Sequence, residues 1–475
     1  MNFKNELNFL RFLTISLSNS LYDNEILTPL FKKIDFSHLK WSINSFVEKL
    51  ETIDNYHEIN LYIHIPYCLE NCNYCYCPHC KLSSKEELVE YENFLLKQMS
   101  EFSPLFSGID MSSIYFGGGT PSLLNKRSIQ RIFESLFKHF SFRSKIQINF
   151  EAHPSSLSLD KLKVLKEYGV NRLSLGVQSL DENVLKRIGR IQNNRTVYKC
   201  IENIKRLKFL NLNIDLMVGL PGQGTQSFIS DLKRIIQLKP EIIHINPFSN
   251  VVLSLYCQTK NMDMHKFIKK RHTMILEAKR ILKNSSYKRC NFEAYQLKKG
   301  GESYQELSYF EHAGSVLGLG INAKSNLAGE IVFENLPAKD RFVSSYFLGR
   351  QINKRYTMAN FIIWHLLKGF RNESFRKLFN EDPLKIFKEE LIFLENIGLI
   401  KKQNGVLRYI REWTMRGLFD YFSCAKIFYG KDILSELKKV YNDRYNPRKN
   451  CNFNKYFIKL FQDYLVTVLY YDVGF

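Results

Sequence analysis

Residues 60–77 read Asn60-Leu-Tyr62-Ile-His64-Ile-Pro-Tyr-Cys68-Leu-Glu-Asn-Cys72-Asn-Tyr-Cys75-Tyr-Cys77. The first six residues are a short apolar strand, and a cysteine-rich loop follows it directly. Outward from this point the chain alternates. Strands are expected at 113–116, 146–151, 172–177, 212–218 and 242–247, with helical periodicity at 84–103, 126–140, 159–168, 194–207 and 225–238. Strands of four to eight residues separated by helices of ten to fifteen signify βα units on a parallel sheet. About six such units fit an α/β fold, a partial (β/α)6 barrel, with chemistry at the C-terminal ends of the strands.

The chain has 475 residues, 45% of them hydrophobic, which suits one large domain with appendages and argues against global disorder. No run of about eighteen uncharged apolar residues occurs, so no membrane span is expected. The first ten residues carry both signs of charge and lack an apolar stretch with a cleavage site, which argues against export. Of ten cysteines, five fall between Cys68 and Cys80 and the rest are scattered. A tight cluster with isolated thiols reads as a metal site in a reducing, cytoplasmic setting rather than a disulfide framework. The net charge of +21, from 68 Lys and Arg against 47 Asp and Glu, favours anionic partners but is spread over the chain.

Cys68, Cys72 and Cys75 are spaced Cys-x3-Cys-x2-Cys. Three thiolates on one loop wrap one face of a cubane [4Fe–4S] cluster and leave the fourth iron open to a substrate. In radical S-adenosylmethionine (SAM) chemistry that substrate is SAM, whose C–S bond is cleaved by one electron. A zinc site completed by Cys77 or Cys80, or cysteines buried as small hydrophobes, would also satisfy the spacing. A second loop, Phe116-Gly-Gly-Gly-Thr120-Pro121, closes the second strand, where glycines let a backbone approach a ligand closely.

Together these segments resemble the oxygen-independent coproporphyrinogen III oxidase-like family of radical SAM enzymes. The resemblance continues through Glu151-Ala-His-Pro154, Asn171-Arg-Leu-Ser-Leu-Gly-Val-Gln178, Ile188-Gly-Arg190 and Asn213-Ile-Asp215-Leu-Met-Val-Gly-Leu-Pro221. It implies that Gly118, Gly119 and Thr120 meet the methionyl amino group, and that Glu151, Gln178, Arg190 and Asp215 surround SAM. Tyr62 is implied near the cluster and SAM as a catalytic residue. Met217 shares a strand face with Asp215, and is expected to pack against a second SAM where two are bound.

Two regions depart from the oxidase. Residues 23–41 lack its N-terminal signature, and residues 305–310, Gln-Glu-Leu-Ser-Tyr-Phe, differ where the second SAM and substrate are expected. The reading is therefore an enzyme that methylates or rearranges a tetrapyrrole or other aromatic, anionic small molecule. Oxidative decarboxylation of coproporphyrinogen III and non-catalytic haem delivery are the alternatives. A flavodoxin- or ferredoxin-type electron donor is implied. The domains expected are an extension (1–58), the barrel (59–290), a substrate-facing connection (291–354) and a mostly helical, winged-helix-like part (355–475). The last shows no dense Arg/Lys face, so nucleic acid is not an expected partner.

Overall fold

The computed structural model describes residues 32–52, 59–75, 79–248, 256–257, 260, 262–290, 294–297, 314–337, 345–368, 370–396, 400–403 and 406–409. Cys77, residues 305–310 and the helix expected at 414–428 lie outside these residues. The strands are β1 (Lys32–Ile34), β2 (Ile59–Ile65), β3 (Tyr67–Cys68), β4 (Cys80–Lys81), β5 (Asp110–Gly118), β6 (Ser141–Ala152), β7 (Arg172–Gln178), β8 (Asn211–Val218) and β9 (Ile242–Pro247). They continue with β10 (Lys288–Arg289), β11 (Ala294–Gln296), β12 (Ser315–Leu319), β13 (Lys324–Leu327), β14 (Ile331–Pro337) and β15 (Ser345–Gln351).

Among the described residues one sheet takes thirteen strands, in the order β1-β15-β14-β13-β12-β2-β5-β6-β7-β8-β9-β11-β10. From β12 through β2 and β5 to β9 every neighbour is parallel. Parallel neighbours require crossovers, and helices Lys85–Phe102, Lys126–His139, Leu159–Glu167, Asn194–Arg206 and Thr225–Gln237 supply them. These are the six βα strands and the helices expected from periodicity. The expectation did not include β12, which extends the parallel sheet beyond β2, nor the antiparallel β13–β15 and β1 that continue it.

Three of the five crossover helices begin where a polar side chain takes up a free N–H. Asn125 accepts from Ser128 N, Ser158 from Lys161 N and Asn193 from Thr196 N. The helices bury their apolar face on one side of the strands. Phe116, Phe133 and Phe150 are fully buried there, with ring centroids 4.9 and 5.3 Å from Phe116. Truncating one such phenylalanine costs about 3–5 kcal/mol.

Strand alternation then sets the other face. On β2, Leu61, Ile63 and Ile65 join the helix-side core, so Asn60, Tyr62 and His64 point the opposite way. Leu173, Leu175 and Val177 alternate with Arg172, Ser174 and Gln178 on β7, as Leu212, Ile214 and Leu216 do with Asn213 and Asp215 on β8. The inner face of the barrel is therefore polar, unlike the branched apolar packing that fills a closed (β/α)8 barrel.

The C-terminal part carries helices Lys354–Lys368, Asn372–Phe379 and Lys388–Asn396 with the hairpin Ile400–Gln403/Val406–Tyr409. The single helix expected at 385–397 is broken at Phe387. The bend buries that ring completely, with the Arg355 guanidinium 4.5 Å from its centroid. Among the described residues no helix is long and apolar enough to cross a membrane.

Candidate functional site

A cavity of about 340 Å³ opens where the C-terminal ends of β5 to β9 meet the cysteine loop. Its walls include Cys68, Cys72 and Cys75, the Gly118–Gly119–Thr120 turn, and Glu151, Gln178, Arg190 and Asp215. Ten of the twelve site residues expected from sequence thus share one wall. Tyr62 and Met217 do not line it. Tyr62 stands behind Tyr115, with ring centroids 6.0 Å apart and its hydroxyl 3.0 Å from His64 Nδ1. Met217 is buried in an apolar cluster with Val184, Leu185, Ile188, Leu220 and Phe248. Met217 shares a strand face with Asp215, but its side chain joins this cluster and not the cavity lining.

The base of the cysteine loop is pinned by the parallel pair β3–β4, Cys80 N donating to Pro66 O at 2.7 Å and Leu82 N to Cys68 O at 2.8 Å. Its far side is tied to residues 187–191. Asn73 N donates to Ile188 O at 2.7 Å and Ile191 N to Glu70 Oε2 at 2.6 Å. The three thiols are close enough to feel one another's charge, and burial pushes the Cys68 thiol up to about 12. Burial also raises Cys72, against the opposing pull of Arg190. Such thiols stay protonated until a metal displaces their protons. Among the described residues no three Cys, His, Asp or Glu groups close on a single metal ion.

Glycine is required at the next turn for a reason periodicity does not reveal. Gly118 has φ +104, and a Cβ there would lie 2.8–2.9 Å from three atoms of the His64 ring. At Gly119 a Cβ would lie 2.6 Å from the Tyr67 carbonyl oxygen, just before Cys68. The glycines let the β5 turn press against the root of the cysteine loop, and Thr120 Oγ1 then reaches Cys68 Sγ at 3.3 Å.

The cavity floor was not foreseen. Arg172 Nη1 donates to Asn149 Oδ1, Asn213 Nδ2 to Ser174 Oγ at 2.6 Å and to Asp215 Oδ1 at 3.0 Å. His244 Nδ1 faces Asn213 Oδ1 at 2.7 Å and Asp215 Oδ1 at 3.6 Å. Both of these oxygens accept, so the tautomer with its proton on Nδ1 suits them. The readable signal was there: Arg172, Ser174, Asn213 and Asp215 are polar residues alternating along strands whose other face is apolar. Above the floor, the Tyr115 hydroxyl donates to Glu151 Oε1 at 2.7 Å. Burial, reinforced by nearby Asp215, lifts the Glu151 carboxyl to about 7 despite that hydrogen bond.

Gln178 marks the ligand side. It sits at φ +66 at the end of β7, and its buried Oε1 has no hydrogen-bond partner among the described residues. Strain and an unmet acceptor together at a cavity wall suit a residue waiting for a donor from a ligand. Carboxylates at 151 and 215, a guanidinium at 190 and three thiols complete a donor set that fits SAM beside a three-thiolate cluster.

Comparison with known proteins agrees with this geometry. Residues 62–235 match the family model of the radical SAM superfamily. The chain is 31% identical over 363 residues, 74% of its length and 92% of the relative's, to the heme chaperone HemW of Buchnera aphidicola subsp. Acyrthosiphon pisum (strain APS). It is 32% identical over 216 residues, 45% of its length and 47% of the relative's, to the oxygen-independent coproporphyrinogen III oxidase of Escherichia coli (strain K12). The solved coproporphyrinogen III oxidase HemN of Escherichia coli, a radical SAM enzyme, superimposes with a TM-score of 0.71 at 20% identity over 85% of this chain and 96% of that one. The chain belongs to the radical SAM superfamily and, within it, to the HemN- and HemW-containing coproporphyrinogen III oxidase-like family, with a [4Fe–4S] cluster and SAM as its cofactors.

Proposed function

We propose that this protein is a radical SAM oxidoreductase acting on a reduced tetrapyrrole that carries propionate side chains. The observation that carries the reading is the convergence of three thiols, an unmet Gln178 acceptor and two carboxylates on one cavity. In this reading Cys68, Cys72 and Cys75 would hold the cluster, which would supply the electron for reductive cleavage of SAM. The Gly118–Thr120 turn offers backbone groups to the methionyl ammonium, and Arg190 offers its N–H groups to the methionyl carboxylate. Glu151 and Asp215 accept from the ribose hydroxyls, and the floor from Arg172 to His244 keeps Asp215 oriented. Tyr62 acts from behind, by holding Tyr115 and His64 in place.

Hydrogen abstraction from a propionate β-carbon, loss of CO₂ and removal of one electron by an acceptor leave a vinyl group. Methylation or rearrangement, the reaction first inferred from residues 23–41 and 305–310, has no support beyond those departures. Oxidative decarboxylation accords better with the relatives. The similarity to HemW over 92% of its length favours a second reading, haem binding and delivery. The barrel of this proposal spans residues 59–290, and a cytoplasmic flavodoxin- or ferredoxin-type donor feeds it. Anaerobic turnover of cluster-loaded protein with SAM, a reductant and coproporphyrinogen III decides between the two. Release of CO₂ with 5′-deoxyadenosine in proportion supports the oxidase. Stoichiometric haem binding with no CO₂ transfers the assignment to haem delivery, and S-adenosylhomocysteine in the products would restore methyl transfer.

A further inference from the structure

Arg190 brings a positive charge to the cavity wall with no carboxylate to pair with it among the described residues. The residue is buried, and its contacts are to neutral oxygens. Nε donates to Gln192 Oε1 at 3.1 Å, Nη1 to the Tyr74 hydroxyl at 3.2 Å and Nη2 to the Gly176 carbonyl. A guanidinium has more N–H groups than these contacts use, and a buried charge is ordinarily paired. Gly176 keeps the space beside it open. A Cβ there would lie 3.0 Å from Gln178 Nε2, 3.6 Å from Arg190 Nη2 and 3.8 Å from Ala152 O. The guanidinium thus borders the C-terminal end of β6. The next residue along the chain is His153, whose ring lines the same cavity.

His153 uses one ring nitrogen inside the protein and leaves the other. Ser155 N donates to Nδ1 at 3.1 Å. A backbone N–H only donates, so Nδ1 accepts, and the tautomer that suits it carries the proton on Nε2. Burial, with the Arg190 charge adding to it, pushes the imidazole down to about 2, which keeps the ring neutral. Among the described residues Nε2 has no hydrogen-bond partner. The loop after β6 is also fastened to the glycine turn. His153 N donates to Ser122 Oγ at 3.0 Å, and the Ser122 and Ser156 hydroxyls are 2.6 Å apart. Lys161 Nζ closes the clamp, donating to Ser122 O at 2.7 Å and Ser156 O at 3.0 Å.

We infer that His153 is a specificity-determining residue for SAM: its Nε2–H and Arg190 together take the methionyl carboxylate, while the turn clamped to the His153 loop takes the ammonium. The inference rests on the reading above that the cavity holds SAM with its carboxylate at Arg190, and adds the second donor. One carbon of the methionyl group carries both charges, so the groups that receive them must sit side by side at a fixed spacing. The clamp through Ser122, Ser156 and Lys161 fixes that spacing.

Equilibrium dialysis of cluster-loaded protein without reductant, with SAM and with decarboxylated SAM, tests this. His153→Asn places an amide oxygen where Nδ1 was, so Ser155 N keeps an acceptor, but no N–H reaches the position of Nε2. SAM should bind about ten- to a hundredfold more weakly, as for a lost hydrogen bond to a charged group, while decarboxylated SAM binds both proteins alike. Unchanged SAM affinity overturns the inference. Equal loss for both ligands also overturns it, because the residue would then only shape the wall. If His153→Asn takes up no cluster, His153→Gln and His153→Met decide, being alike in size but differing in the donor. The Gln protein should hold SAM about tenfold more tightly, and equal affinities overturn the inference. Equal binding of SAM and decarboxylated SAM by the unsubstituted protein overturns instead the reading beneath it, that Arg190 receives the carboxylate.

Discussion

Replacing Gly118 by Ala tests how the cavity wall is built. Two costs arise at this position. The backbone sits at φ +104, which an L-residue adopts at roughly 1–3 kcal/mol. The new methyl would also stand 2.8–2.9 Å from the His64 ring, which is buried and tied to the Tyr62 hydroxyl at 3.0 Å. Overpacking of this kind costs about 1–3 kcal/mol. The total, about 2–6 kcal/mol, is a large share of the 5–15 kcal/mol that typically holds a protein folded. Urea unfolding of the metal-free protein measures it, and a double-mutant cycle with His64→Ala separates the two parts. Removing the ring should relieve only the packing part, so the cycle should return a coupling of about 1–3 kcal/mol, well above the ~0.5 kcal/mol scatter of independent sites. Equal destabilisation by Gly118→Ala with and without the His64 ring would refute the argument. It would mean that the glycine is needed for its backbone alone.

Three further outcomes are expected. Cys68→Ala, Cys72→Ala and Cys75→Ala should each abolish four-iron uptake on anaerobic reconstitution, whereas Cys80→Ala should leave iron content near that of the unsubstituted protein; iron loss only in Cys80→Ala would point to zinc. The Glu151 carboxyl, raised from 4.5 to about 7, holds more protons folded than unfolded between those pH values, so its contribution to stability is present at low pH and falls as pH rises through 7, by up to about 3 kcal/mol. Glu151→Gln should flatten this part of the stability–pH profile of the metal-free protein, and an unchanged slope would show that the carboxyl titrates normally. Asp215→Ala should weaken SAM binding without loss of iron, and equilibrium dialysis of cluster-loaded protein should find two SAM equivalents, with one equivalent at saturation excluding a two-SAM mechanism.

Much of the barrel was legible because its signals are local. A buried parallel strand is a short apolar run, an amphipathic helix repeats every 3.6 residues, and the two periods alternate cleanly from residue 60 to 247. The cysteine spacing and the glycine turn are likewise local, since neighbouring residues on one loop must share one environment. Residues 288–351 were harder to read. Strands β10 to β13 are two to five residues long, pairing among β10 to β15 is mostly antiparallel, and partners are chosen by the sheet edge rather than by each strand's own pattern. Strand β12 pairs with β2 across more than 250 positions, Val316 opposite Asn60, and no local period encodes that register.

From the sequence alone come the alternation that makes a partial barrel, the three-thiolate loop and the set of polar residues at strand ends. Each follows from the period of a side-chain pattern or from chemistry within one loop. Which of those residues meet was decided by tertiary structure. Arg172, Asn213 and His244 form one floor because three strands lie side by side with their polar faces inward. Met217 leaves the cavity for an apolar cluster although it shares a face with Asp215. Tyr74 and Arg190, 116 residues apart, touch because the cysteine loop folds back onto residues 187–191. Contacts of that kind depend on how the crossovers stack the strands, and a one-dimensional pattern carries no record of it.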